Sequence, residues 1–372
     1  MILRTFGWSF AVTAAGLAAA FLYDKGTGLA LVAVLAILEI SLSFDNAVVN
    51  AKVLDRMSPF WQKIFLTVGI AIAVFGMRLV FPLVIVGITA KLGPVEAFDL
   101  ALNDQAAYKH AMESAYPMIA AFGGMFLLML FLDFVFEERA DKWLPWLEKP
   151  LARIGKLDQL SVVIAGGALA LVASAWAAEP GNVMIAGVLG MVTYILVNGL
   201  GELFSEAGED DDEERDEAAD GPAPAAAGKG GPSALALATG KAGFFLFLYL
   251  EVLDASFSFD GVIGAFAIST DPIIIALGLG IGAMYIRSLT VFLVRKGTLH
   301  EYVYLEHGAH WAIGALAVCM LVSIGHHVPE WITGGLGAGL IIAAFVSSVV
   351  RNRNEDAGDA PGADKELHST GV

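Results

Sequence analysis

Ten stretches of this 372-residue chain run for about 20 residues with almost no charge, the length that crosses roughly 30 Å of hydrocarbon. They fall near residues 6–23, 28–50, 61–90, 115–136, 160–177, 182–200, 243–270, 272–294, 308–326 and 332–350. Within hydrocarbon each backbone N–H and C=O must find its partner inside the protein, so a run of this kind has to be helical. The expected fold is therefore all-α: a polytopic transmembrane bundle of about ten helices. Composition excludes a soluble domain, because 57% of residues are hydrophobic and only 16% charged, where soluble proteins carry about a quarter.

Lysine and arginine placement gives an independent reading of topology, since short cytoplasmic loops are enriched in both. Threaded through ten spans, 17 of these residues fall on the side of the N-terminus. Only Lys25, Lys91 and Lys109 fall on the other, and Arg78 and Arg287 lie inside spans. Both termini are thus expected in the cytoplasm, and the localisation that follows is multi-pass, in the inner (plasma) membrane of a bacterium. Arg4 ahead of an Ala-rich first run has the outline of a signal peptide. That run is read as a retained span.

The formal charge of −16 describes mainly one loop, because ten acids crowd between Glu206 and Asp220 against Arg215 alone. With Pro, Ala and Gly following, residues 206–233 have almost nothing to bury and read as a disordered acidic linker. The remaining divisions expected are an N-terminal helix (1–27), a first transmembrane repeat (28–136), connecting helices (137–205), a second repeat (234–326), a final helix (327–350) and a disordered tail (351–372).

The word repeat is earned by two octets. Glu39-Ile-Ser41-Leu-Ser43-Phe44-Asp45-Asn46 in the second span recurs as Asp254-Ala-Ser256-Phe-Ser258-Phe259-Asp260-Gly261 in the seventh, and the span after each holds one arginine, Arg78 or Arg287. Four spans lie between the copies, an even number, so the two cross the bilayer in opposite directions. Inverted repeats of this kind put a transport site near the midplane, between halves that rock against each other.

A carboxylate in hydrocarbon costs about 2.5–3.5 kcal/mol on insertion scales, so Glu39, Asp45, Glu251, Asp254 and Asp260 need a reason to be there. Two arginines cannot neutralise five acids. Ser41, Ser43, Asn46, Ser256 and Ser258 add only oxygen donors, which suit a hard divalent cation. On a straight helix Asp45 and Asp260 point away from their neighbouring acids, so convergence on one ion predicts a break near residues 44–46 and another near 259–261. Arg78 and Arg287 are expected to neutralise the acids when no ion is bound.

These residues resemble the TerC integral membrane family. The resemblance rests on Glu39 to Asn46 and on Glu251, Asp254, Asp260, Asp271-Pro272 and Arg287-Ser288, and it covers roughly residues 28–136 and 243–326. Where relatives tend to carry Asp-Ser-Ile-Pro, this chain has Asp260-Gly261-Val262-Ile263. The resemblance implies a role in metal-ion homeostasis, with manganese efflux the best-supported activity of relatives and tellurium resistance the origin of the name. It also implies that Glu39, Asp45, Asn46, Glu251, Asp254 and Asp260 handle the ion.

Four weaker signals complete the reading. Glu306, His307 and His310 lie at the cytoplasmic end of the ninth span and could bind a transition metal, while Asp133 near the inner end of the fourth could line an exit path. His326-His327 is a fainter cluster. Gly278, Gly280 and Gly282 form a small-residue surface for close helix packing. The expected function is export of a divalent cation, Mn²⁺ first and Ca²⁺ second, carried as substrate with no permanent cofactor and no nucleic acid, the oligomeric state being left open. No Walker loop, HExxH or GxSxG is present, which argues against ATP drive and against an enzyme. The alternatives are a membrane scaffold in metal or tellurite stress and an intramembrane metal enzyme.

Overall fold

The computed structural model describes residues 2–157, 159–218, 240–296 and 301–358, and among them there is no strand. In chain order the helices are α1 (Ile2–Leu42), α2 (Phe44–Asp55), α3 (Pro59–Ala90), α4 (Pro94–Asn103), α5 (Gln105–Phe136) and α6 (Pro145–Ile154). They continue as α7 (Leu160–Trp176), α8 (Pro180–Ala218), α9 (Gly240–Ile268), α10 (Pro272–Lys296), α11 (Leu305–Ser323) and α12 (Glu330–Gly358).

Although α1 is helical almost throughout, it is two spans. Asp24 and Lys25 leave helical geometry, Lys25 at φ 50°, and a methyl on Gly28 would stand 2.7 Å from the Ala20 carbonyl, which a straight helix would hold far away. The chain therefore reverses at 24–25. Both limbs pack along α10 in opposite directions: Ser9 Oγ bonds to the Met284 carbonyl and Ser288 Oγ, whereas Leu35 abuts Gly278 and Glu39 abuts Gly282. A break at residues 177–179 separates α7 from α8, with Pro180 opening the helix where its missing N–H is harmless.

Contacts among helix ends and loops define two ends of the bundle. At one, Lys52 meets Glu306, Trp143 bonds to Ser347, and Arg351 pairs with Asp141. At the other, Tyr23 bonds to Asp271 and Thr270 to Gln105, and His326 packs on Trp176. The spans α5, α9, α10 and α11 are deeply buried, while the outer helices turn residues such as Val163, Leu171, Ile185 and Val346 outward, as a lipid-facing surface requires.

Three features differ from the sequence reading. The helix α8 continues through the acidic run to Ala218, because extending an existing helix adds a hydrogen bond per residue without a new nucleus. Residues 219–233, the remainder of the expected linker, lie outside the described ones, as do 234–239 and the tail after 358. Two further helices, α4 and α6, lie outside the ten spans. Finally, α3 contains π-helical turns at Phe65–Gly69 and Ile72–Val80, a distortion often found beside functional sites.

Candidate functional site

The two acidic octets lie against each other in the bundle interior and run antiparallel. Asn46 Nδ2 on α2 donates to Asp254 Oδ1 on α9 at 2.7 Å, and a methyl on Gly261 would stand 2.9 Å from Glu39 Oε2. Position 39 thus faces 261 while 46 faces 254. The copies cross at a point where neither reaches lipid, since Glu39, Asn46, Glu251 and Asp254 are all buried.

Each arginine serves the acids of its own half. Arg78 pairs with Glu39 Oε1 and also donates to the Ala73 carbonyl one widened turn back, which the π-helical stretch of α3 presents. Ser43 Oγ donates to the same Glu39 oxygen at 3.1 Å. In the other half, Arg287 Nη2 stands 3.3 Å from Asp254 Oδ2 and 3.7 Å from Glu251 Oε1. Its guanidinium also donates to the Gly69 carbonyl at 3.3 Å and lies 3.8 Å over the Phe65 ring. Both arginines are buried, which rules out their reaching to the membrane surface. Three carboxylates against two guanidinium groups leave this cluster one negative charge in excess when all are ionised. The side chains of Asp45 and Asp260 lie outside the described ones, so their part in the cluster is not placed.

The expected helix breaks are half present. Helicity stops between α1 and α2 at Ser43 (φ −99°, ψ 16°), one residue ahead of Phe44. Serine competes with the helix for hydrogen bonds, and here its hydroxyl serves Glu39 instead of capping α2. The second break is absent: α9 is continuous through Phe259-Asp260-Gly261. Gly261 instead provides closeness, its missing side chain making room for the Glu39 carboxylate.

Several sequence candidates fall outside the crossing. Ser41 faces outward and bonds to the Ile37 carbonyl, since successive helix positions are about 100° apart and Glu39 already takes the inner face. Ser256 is buried but bonds to the Val252 carbonyl of its own helix, and Ser258 is buried on the same helix. Glu306, His307 and His310 do not converge. Glu306 is held by Lys52 at 2.9 Å and Arg139 at 3.1 Å, His307 Nδ1 faces Glu148 Oε1 at 3.3 Å, and His310 stacks on Phe134 with centroids 3.7 Å apart. Among the described residues no three His, Cys, Asp or Glu form a group that could hold a metal ion unaided. Asp133 accepts a hydrogen bond from Tyr194 at 2.8 Å and borders a cavity of about 470 Å³ that also meets Lys52, Arg139, Glu306 and His310.

Two separate clefts border the arginines. One of about 220 Å³, lined by Phe98, Tyr108, Phe266 and Pro272, ends on Arg78; another of about 340 Å³, lined by Thr5, Trp8, Met284 and Ser288, ends on Arg287. Sequence reasoning named Gly282 as a close-packing position without its partner Glu39, and missed Gly69 and the carbonyl of Ala73, whose roles depend on helix approach and a π-turn that leave no periodic signal.

Comparison with known proteins agrees with the membrane architecture. The chain is 26% identical over 113 residues to the "Uncharacterized membrane protein STKORF319" of Myxococcus xanthus, a match spanning 30% of this chain and 35% of that protein. The matched segment thus covers about a third of the curated relative's length. No solved structure matches. The family model described as "Protein of unknown function (DUF475)" matches residues 44–355, which takes in the octets from Phe44 onward and both arginines, and the chain therefore belongs to that family.

Proposed function

We propose that this protein is a secondary transporter that moves a divalent metal cation across the bacterial inner membrane, with Mn²⁺ the leading substrate, export the direction and both termini cytoplasmic. One observation carries the reading: two antiparallel acidic elements cross inside the bundle, joined by the Asn46–Asp254 hydrogen bond, with more carboxylates than arginines. A structural ion-pair network would balance its charges. The oxygen donors of Glu39, Ser43, Asn46, Asp254 and Glu251 suit a hard cation that keeps part of its hydration shell and so needs few protein carboxylates.

In this reading the arginines are resident counter-cations. Each leaves its acids when a metal ion arrives, and the clefts that border Arg78 and Arg287 are the places from which the two halves would be approached in alternating access. The TerC resemblance points the same way through manganese efflux in relatives. The work is binding and release, with no bond made or broken, so transport rather than catalysis is proposed.

The test is Mn²⁺, Ca²⁺ and Zn²⁺ uptake into proteoliposomes containing the purified protein, with Glu39→Gln, Asp254→Asn, Asp45→Asn and Asp260→Asn as variants. Wild type should accumulate Mn²⁺, and Glu39→Gln and Asp254→Asn should not. Flux preserved in both of these variants would remove the crossing from the mechanism, and no flux of any metal would favour a scaffold.

A further inference from the structure

One polar side chain beside the crossing has no use in the arrangement above. Asn50 lies one turn beyond Asn46 on α2 and is fully buried, yet neither its Oδ1 nor its Nδ2 has a hydrogen-bond partner among the described residues. Burying an amide this way is unfavourable unless something arrives to use it. A second group shares the condition: Glu251 is buried, and neither of its oxygens has a hydrogen bond, Arg287 standing back at 3.7 Å.

The helix register brings the two to one level. Asn46 is fixed to Asp254, and further along α2 Leu54 shares an apolar cluster with Phe247 and Leu250 of α9. Between those points Asn50 falls opposite the turn of α9 that carries Glu251. Residues four apart share a helix face, so Asn50 follows Asn46 on the face turned to α9. The surroundings are built for close approach: a methyl on Gly69 would stand 2.5 Å from Glu251 Oε1, and Phe65 of the same cluster lies under Arg287.

We infer that Asn50 and Glu251 form a second oxygen-ligand station for a divalent cation, one helical turn beyond the Asn46–Asp254 bond toward the end that carries the N-terminus. An amide carbonyl and a carboxylate are ordinary ligands for such an ion. Arg287 is the group that gives way, because it alone among the described cations faces both Asp254 and Glu251. The inference rests on the transport reading and divides its site into two successive stops.

The experiment uses the full chain, purified in detergent and reconstituted in liposomes, with MnCl₂ as the probe. Asn50→Leu removes both polar atoms at nearly constant volume. Its thermal midpoint without metal should equal or exceed that of wild type, while the Mn²⁺ concentration for half-maximal stabilisation and half-maximal flux rises about tenfold, as for one lost ligand. Asn50→Asp, which keeps an oxygen in place and adds charge, should lower both concentrations. Wild-type Mn²⁺ responses in both variants would overturn the inference and leave the transport reading standing. A fall in the metal-free midpoint of Asn50→Leu would reveal a structural hydrogen bond and overturn it too. A wild-type protein with neither Mn²⁺ stabilisation nor flux would overturn both.

Discussion

Replacing Gly282 by alanine tests the packing that places Glu39. A methyl there would stand 2.5 Å from Glu39 Cγ, closer still to its Cβ, and 3.1 Å from the Ala36 carbonyl oxygen. Carbon contacts settle near 3.5–4.0 Å. Because a Cβ and a carbonyl are fixed to their backbone and cannot swing aside, α10 and the second limb of α1 must part by about 1 Å. Overpacking of this kind costs about 1–3 kcal/mol, partly offset by about 1 kcal/mol of helix propensity when alanine replaces glycine. Gly335→Ala on α12 supplies the reference, since nothing lies within 4 Å of a methyl at that position. It should gain the propensity without the clash, so the two variants should differ by about 1–3 kcal/mol in denaturant unfolding from mixed micelles. The same displacement draws Glu39 away from Arg78 and Gly261, so Mn²⁺ flux should fall in Gly282→Ala and stay unchanged in Gly335→Ala. Equal stability of the two variants would refute the close seam between α1 and α10, and with it this account of how Glu39 is held.

Arg78→Leu strands the Glu39 carboxylate and should destabilise the fold by about 3–5 kcal/mol, whereas the double variant Glu39→Gln with Arg78→Leu should recover most of the loss; an additive double-mutant cycle would deny the pairing. Arg287→Lys keeps the charge but gives up the planar contact with Phe65 and the bond to the Gly69 carbonyl, so unfolding should register a loss of about 1–2 kcal/mol. Glu148, on α6 outside the spans, gives a pH signature. Burial pushes its carboxyl up, but hydrogen bonds from His307 and Trp311 and the charge of His307 outweigh this and hold it below the ordinary 4.5. A depressed carboxyl stabilises the fold above its unfolded value and stops doing so as pH falls through the folded one. Glu148→Gln should therefore lower the thermal midpoint at neutral pH, and the gap to wild type should close below pH about 4.5.

Much of this architecture is legible in the linear chain because hydrocarbon imposes a single rule on backbone polar groups. Runs of about 20 apolar residues announce the helices, and the recurrence of acid, Ser, Ser, Phe and Asp at one spacing announces the two elements that cross. The identities of Glu39, Asp254 and the two arginines follow from the same logic, since a charge in such a run is costly enough to need a purpose. Periodicity assumes uniform helices and knows nothing of neighbours. It therefore placed a break at residues 259–261 where α9 stays intact, overlooked the π-turns that bring Ala73 to Arg78, and grouped Glu306 with His307 and His310, which Lys52, Arg139, Glu148 and Phe134 draw apart. Only the tertiary structure could decide that Asn46 meets Asp254 across 208 positions, that Gly261 and Gly282 make room for Glu39, and that Asn50 is buried without a partner. Those facts depend on how closely one helix approaches another, a distance set by both surfaces at once and encoded in neither alone.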